Sequence, residues 1–133
     1  MIFLLDTNVV IAALKGDADV LSRIHERRPP DIAISAIVAH ELYYGAFRGS
    51  RVEANLARVD ALRFEVLDFD REDARCAGEI RATLAAAGMT IGPYDVLIAG
   101  QALSRGLILV TRNTREFSRV TDLRIEDWER GGQ

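Results

Sequence analysis

Three acidic residues sit where a charge is expensive. Asp6 directly follows the apolar run at residues 2–5. Glu41 lies four residues after Ile37 and three after Val38, on the apolar stripe of a helical segment rather than its polar face. Asp95 lies three and four residues before Ile98 and Ala99, at the head of another apolar stripe. Each has a structural explanation. Asp6 and Asp95 suit helix N-termini, where free N–H groups and the dipole favour an acid by about 0.3–1 kcal/mol when exposed. Glu41 suits an arginine partner or the wet edge of its stripe. Gathered in one place without a basic partner, three carboxylates repel and are stable only when protonated or bridged by a cation. Hard oxygen ligands suit Mg²⁺ or Mn²⁺. Such a metal polarises a phosphoryl oxygen and lowers the pKa of a bound water, so the chemistry such a cluster predicts is phosphodiester hydrolysis.

The elements that must position these groups read as alternating strands and helices. Residues 2–5 form a short buried strand, and Thr7 or Asn8 can cap the helix that ends at Lys15-Gly16. Asp17 opens a second helix with Val20, Leu21 and Ile24 on one face, closed by Arg27-Arg28-Pro29-Pro30. Ile32–Ser35 is β-branched and reads as the second strand. A helix from Ser35 or Ala36 to about Phe47 carries Ile37, Val38, Leu42 and Gly45 as its stripe. Another spans 51–62, with Val52, Leu56, Val59 and Leu62 inward. Residues 64–69 read as a third strand, and 71–87 as a long helix with Ala74, Ala77, Ile80, Leu84 and Ala87 along one side. Gly92-Pro93 turns the chain into the helix that Asp95 heads, whose inner face is Ile98, Ala99, Ala102 and Leu103. Residues 107–111 form a fourth strand tipped by the small polar Thr111 and Asn113, as the first strand is tipped by Asp6. A short helix or turn at 114–118, an edge strand at 123–125, Trp128 packing the C-terminal segment and a frayed end at 131–133 complete the reading.

This alternation predicts a three-layer α/β/α sandwich around a mainly parallel sheet, as one domain over residues 1–133. Right-handed crossovers bring the strand tips to one edge, where ligands bind in open α/β sheets. If strands one, two and four are neighbours, Asp6, Glu41, Asp95, Thr111 and Asn113 converge.

Composition narrows the classes. The net charge of −3 argues against a protein that holds nucleic acid by bulk charge, without excluding a local basic patch. All the basic residues but Lys15 are arginines. The lone Cys76 excludes an intramolecular disulfide framework and reads as a small buried residue. No apolar run approaches the roughly 20 residues of a membrane helix, and residues 1–5 lack the charged leader of a signal peptide. The expected location is the cytoplasm, with no membrane partner. His40-Glu41 opens like a zinc-protease helix, but Tyr44 occupies the second histidine's place, so His40 reads as a polar-face residue. Tyr43 and Tyr44 can stack on bases, although tyrosines beside such a stripe more often belong to a core or an interface. There is no P-loop, GxGxxG or EF-hand pattern.

The segments LLDTN, HELYYG, IGPYDVLIAGQA, LVTRNTREFSRV and LRIEDW, in this order, cover nearly the whole chain. Together they resemble the PIN-domain ribonucleases, and among them the VapC toxins of bacterial toxin–antitoxin pairs. The resemblance implies a Rossmann-like fold and a metal-dependent endoribonuclease. It marks Asp6, Glu41 and Asp95 as the acidic site, with Asp6 and Asp95 as direct metal ligands for Mg²⁺ or Mn²⁺. Thr7 and Asn8 flank the first ligand. Thr111 matches the family's hydroxyl near the site. Asn113 stands where many PIN domains have a fourth acid, which leaves a second metal in doubt. Arg112 and Arg115 lie beside it, as RNA phosphate contacts or as ordinary surface arginines. The implied partners are an RNA substrate (a structured RNA such as a tRNA), a VapB-like antitoxin, a second copy in a homodimer, and operator DNA through the antitoxin alone.

Two other classes remain open from the residues. In a phosphoaspartate-type phosphatase Asp6 would be the nucleophile, but no second acid follows at Asn8 and no lysine lies near the later motifs. A binding module with a degenerate site would need none of the acids.

Overall fold

The computed structural model describes residues 1–129. The frayed end expected at 131–133 lies outside them. Five short strands, β1 (Phe3–Leu5), β2 (Ile32–Ser35), β3 (Glu65–Leu67), β4 (Ile108–Val110) and β5 (Ile125–Glu126), form one sheet in the order β3-β2-β1-β4-β5. Every pairing is parallel. Parallel strands require crossovers, and these carry α1 (Thr7–Leu14), α2 (Ala18–His25), α3 (Ala36–Arg48), α4 (Val52–Asp60), α5 (Arg71–Ala86), α6 (Pro93–Ser104) and α7 (Thr114–Phe117). The sheet grows one way from β1 through β2 to β3, then reverses to β4 and β5 on the other side of β1. Right-handed crossovers therefore place α1–α4 on one face and α5–α7 on the other. The three-layer sandwich read from the sequence is the observed architecture.

The order also fixes where a site can form. The chain reverses between β1 and β4, and the crevice beyond the carboxyl ends of such a strand pair is where open α/β sheets bind ligands. The Asp6 amide extends the ladder by donating to the Val110 carbonyl at 2.9 Å, so the tips of β1 and β4 are held side by side. Beneath them the core is apolar. Leu4, Leu5, Val9, Ala33, Val38, Ile98 and Leu109 are all buried. Removing such side chains from water stabilises the fold by about 1.5–3 kcal/mol each.

Several local readings are refined. The α1 cap is Asp6 itself, whose side chain accepts from the Thr7 amide; neither Thr7 nor Asn8 plays that part. On α3 the inner stripe runs through Val38, Leu42 and Ala46, so Gly45 is on the outer side. Tyr43 and Tyr44 are exposed rather than packed in the core. On α5 the buried side is Asp73, Ala77, Ile80 and Leu84, while Ala74 and Ala87 face solvent. Cys76 is half-buried. Trp128 does anchor the C-terminal segment, meeting Phe3 edge-on at 5.2 Å with the Arg27 guanidinium 4.6 Å from the indole.

Helix α6 lies unusually close to α5. A Cβ at Gly100 would stand 2.6 Å from the Ala77 backbone, so only glycine permits the approach. No helix among the described residues is long and apolar enough to cross a membrane.

Candidate active site

Asp6 leaves β1 at the sheet's reversal point and is only 4 % exposed. Its two oxygens are oriented separately. Oδ1 accepts from the Thr7 amide at 2.8 Å, and Oδ2 accepts from the Thr111 hydroxyl at 2.8 Å. Thr111, fully buried at the tip of β4, in turn accepts from the Asn113 amide at 3.0 Å. A carboxylate oxygen has two lone pairs, so each Asp6 oxygen keeps one after these bonds. Burial raises the Asp6 carboxyl above its ordinary value; the two hydrogen bonds offset part of this, and the negative charge of Glu116 adds to it.

Glu41 enters from α3. Its Oε1 accepts from the Thr7 hydroxyl at 3.0 Å, so Thr7 ties the first and second acids together, one through its amide and the other through its side chain. Asp95 enters from the first turn of α6. Its Oδ2 would lie 3.1 Å from a Cβ at Gly92, so the glycine leaves the carboxylate room to fold back over the helix N-terminus. The Asp95 carboxyl is pushed up to about 7, first by burial and then by the charges of Asp6, Glu116 and Glu41. Among the described residues no lysine or arginine forms an ion pair with Asp6, Glu41 or Asp95. Together with Asn8, Asn113 and the rings of His40, Tyr44 and Tyr94, the three acids line one cleft of about 690 Å³.

The fourth acid is Glu116, on α7. Its Oε1 accepts from the Gly92 amide at 2.8 Å and its Oε2 from the Asn113 carboxamide at 2.7 Å. These bonds hold Glu116 below the usual carboxylate range, with a smaller contribution from Arg119 opposing its partial burial. Glu116 therefore stays charged, fastens the start of α6 to the loop after β4, and adds its field to Asp6 and Asp95.

The donor set suits a hard cation. It offers carboxylate oxygens, no thiolate, and repulsion that a positive charge would relieve. Among the described residues no group of three His, Cys, Asp or Glu side chains is arranged to hold a metal ion between them. A cation held by one or two carboxylates, with waters and a substrate oxygen completing its shell, needs none.

Residues 3–123 match the PIN domain family. The chain is 45 % identical over 128 residues, 95 % of its length and 97 % of the relative's, to the tRNA(fMet)-specific endonuclease VapC of Salmonella typhimurium. The crystal structure of DNA-bound VapBC from the same organism superposes with a TM-score of 0.92, covering 96 % of this chain and 98 % of that one at 45 % identity. The VapBC2 structure from Rickettsia felis, bound to a fragment of its promoter, superposes with a TM-score of 0.89 at 34 % identity over 96 % of this chain and 99 % of that one. The chain belongs to the VapC family of PIN domains.

This VapC-family fold places Asp6, Thr7, Asn8, Glu41, Asp95 and Asn113 on one cleft, with Thr111 hydrogen-bonded to Asp6. Asn113, read as standing at the family's fourth acidic position, lines the cleft and donates one carboxamide N–H to Glu116. Arg112 and Arg115 are exposed and outside the residues lining the cleft; Arg112 lies 4.0 Å from Glu129. The arginine that does line it is Arg48, at the end of α3. Glu116 was not singled out in the sequence. The signal available was Asn113-x-x-Glu116, the spacing of a helix-start pair directly after a strand tip.

Proposed function

We propose that this protein is a Mg²⁺- or Mn²⁺-dependent endoribonuclease and the toxin of a toxin–antitoxin pair. One observation carries the reading: Asp6, Glu41 and Asp95 line one cleft in which, among the described residues, no lysine or arginine forms an ion pair with any of them, and burial with the neighbouring acids pushes the Asp95 carboxyl up to about 7. A purely structural carboxylate gains nothing from such surroundings. A carboxylate that receives a divalent cation does.

Asp6 and Asp95 would hold the metal, and Thr7 and Thr111 set the orientation of Asp6 through its two oxygens. The bound ion supplies Lewis-acid polarisation of a phosphoryl oxygen and a more acidic water. Glu41, steadied by the Thr7 hydroxyl, is placed to accept a proton from the attacking water or to position it. Glu116 keeps the start of α6, and so Asp95, in place through Gly92. The phosphoaspartate alternative gains no support. Lys15, the sole lysine, caps the far end of α1 from Asp6, and Asp6 is buried under two hydrogen bonds.

The relatives support the biological role. The Salmonella relative is named an endonuclease specific for tRNA(fMet), and the superposed structures are VapBC complexes with DNA. For this chain the substrate is an RNA, with tRNA as the first to test, and the partner is a VapB-like antitoxin that carries operator binding. The toxin acts in the cytoplasm as a homodimer. The test is cleavage of total RNA and of purified tRNA by the antitoxin-free protein in Mg²⁺ or Mn²⁺. Cleavage abolished by EDTA and by Asp95→Asn is the expected result. Cleavage that persists in EDTA would remove the metal from the account. Absence of cleavage in every RNA, with Mn²⁺ bound, would remove the nuclease.

A further inference from the structure

Two of the site acids are each preceded by an aromatic residue: His40 before Glu41, and Tyr94 before Asp95. The pairs come from different helices, α3 and α6, yet the two rings meet at a centroid distance of 5.5 Å with their planes tilted by 56°. Both rings line the same cleft as the acids. Tyr94 keeps 47 % of its surface open to solvent, in the first turn of α6. Tyr44, one helical turn beyond His40, is 59 % exposed and has the Arg48 guanidinium 5.4 Å from its ring. Tyr44 and Arg48 also line the cleft. The metal ligands therefore share a cavity with an aromatic wall and one arginine.

A packing role does not account for this wall, since both tyrosines leave large faces in water. A phosphodiester at the acids brings its own bases with it, and every base has a flat face. Single-stranded nucleic acid is held by this combination: rings on which bases stack, and an arginine for the backbone. A paired base is already stacked within its helix and offers no free face. The tilt between His40 and Tyr94 prevents a parallel sandwich between those two rings, so the ring offered is the open face of Tyr94, with His40 bracing it from α3.

We propose that Tyr94, braced by His40, is a stacking platform for one unpaired nucleobase beside the scissile phosphate, with Arg48 contacting the adjoining backbone. This rests on the ribonuclease reading and deepens it by assigning a base-binding group beside the acids.

The test uses a short single-stranded oligoribonucleotide with cleavage-resistant phosphorothioate linkages and 2-aminopurine placed at successive positions, titrated with the full-length protein in Mg²⁺. One position should show fluorescence quenching on binding. Tyr94→Ala should abolish that quenching and weaken binding by about five- to a hundredfold, whereas Tyr94→Phe, which keeps the ring, should retain both. Replacing the same base by an abasic site should weaken wild type equally and Tyr94→Ala hardly at all. In cleavage of the natural linkage, Tyr94→Ala should raise KM far more than it lowers kcat. Equal quenching and affinity in wild type and Tyr94→Ala, or no binding by wild type, overturns the platform. If RNA is nevertheless cut in Mg²⁺, the ribonuclease reading stands without it. Tyr94-dependent quenching with no cleavage of any RNA would leave the platform and overturn the ribonuclease.

Discussion

Helix α6 carries an acid cluster at each end, and the two clusters are opposites. At its N-terminus Asp95 faces Asp6, Glu41 and Glu116, and its carboxyl is pushed up to about 7. At its C-terminus Gln101, Ser104 and Arg105 converge on Asp73 of α5, which is completely buried. Burial pushes the Asp73 carboxyl up, but bonds from Arg105, Ser104, the Asp70 amide and Gln101 together hold it well below the usual carboxylate range. Arg105 approaches it at 2.9 Å. Both acids belong to apolar-faced helices of one layer, and Asp73 is the more buried of the two by exposed surface, so burial alone does not explain why Asp95 is the one pushed up. The difference is whether the protein itself supplies the counter-charge. Where it does, the acid is a clamp between two helices. Where it does not, the acids are left with a mutual repulsion, which on the proposed reading a cation relieves.

The largest expected effect divides the two clusters by readout. Asp95→Asn should lower RNA cleavage by about a thousandfold or more, since it removes a metal ligand, while leaving the folded state intact by circular dichroism. Next, Asp73→Asn should do the reverse. It leaves Arg105, which is partly exposed, without its carboxylate and should cost about 2–4 kcal/mol in denaturant unfolding. Cleavage by the folded fraction should fall less than tenfold. A comparable loss of activity in Asp73→Asn at full folding would mean that the clamp is part of the catalytic site.

The pH dependence should also split. Asp95 has a folded-state value above its unfolded value of 3.8, so the folded protein binds the extra proton. Its contribution to the stability of the metal-free protein is complete below about pH 4 and is lost as the pH rises to about 7. Asp73 is depressed, so its contribution is complete above its unfolded value of 3.8 and is lost as the pH falls below it. In EDTA at pH 7.5, Asp95→Asn should therefore raise the Tm by about 3–5 °C, roughly 1 kcal/mol, and that gain should vanish at pH 4. A Tm difference independent of pH would show that Asp95 is not the strained group. The smallest effect concerns Glu116. Glu116→Gln keeps an acceptor for Gly92 but removes a charge, so cleavage should change by less than about tenfold; Glu116→Ala, which releases the start of α6, should cost more.

The same contrast explains what could be read from the chain. The strands at 32–35 and 107–111 and the Lys15-Gly16 helix stop were legible because they rest on local patterns of apolar residues and turn chemistry. Asp6, Glu41 and Asp95 were legible because each breaks an apolar pattern, and the resemblance ordered them. Asp73 was not. The alanines around it satisfy the same helical period, and the partner that permits its burial is Arg105, on another helix. Glu116 was hidden for a similar reason: on a four-residue helix there is no stripe for a charge to interrupt. The aromatic wall was only partly legible: His40 reads as a polar-face residue and Tyr44 as core, interface or base-stacking, but only the tertiary fold shows His40 meeting Tyr94 over an open cleft.

The most direct test of the central claim, that these acids form an unneutralised cation site, is Mn²⁺ binding followed by electron paramagnetic resonance at pH 7.5. Wild type should bind Mn²⁺ at pH 7.5 with release of only a fraction of a proton, rising towards one at pH 6 where Asp95 is mostly protonated, and Asp95→Asn should lose both signals while Asp73→Asn keeps them. Equal Mn²⁺ binding by wild type and Asp95→Asn, or none by wild type, would contradict the account.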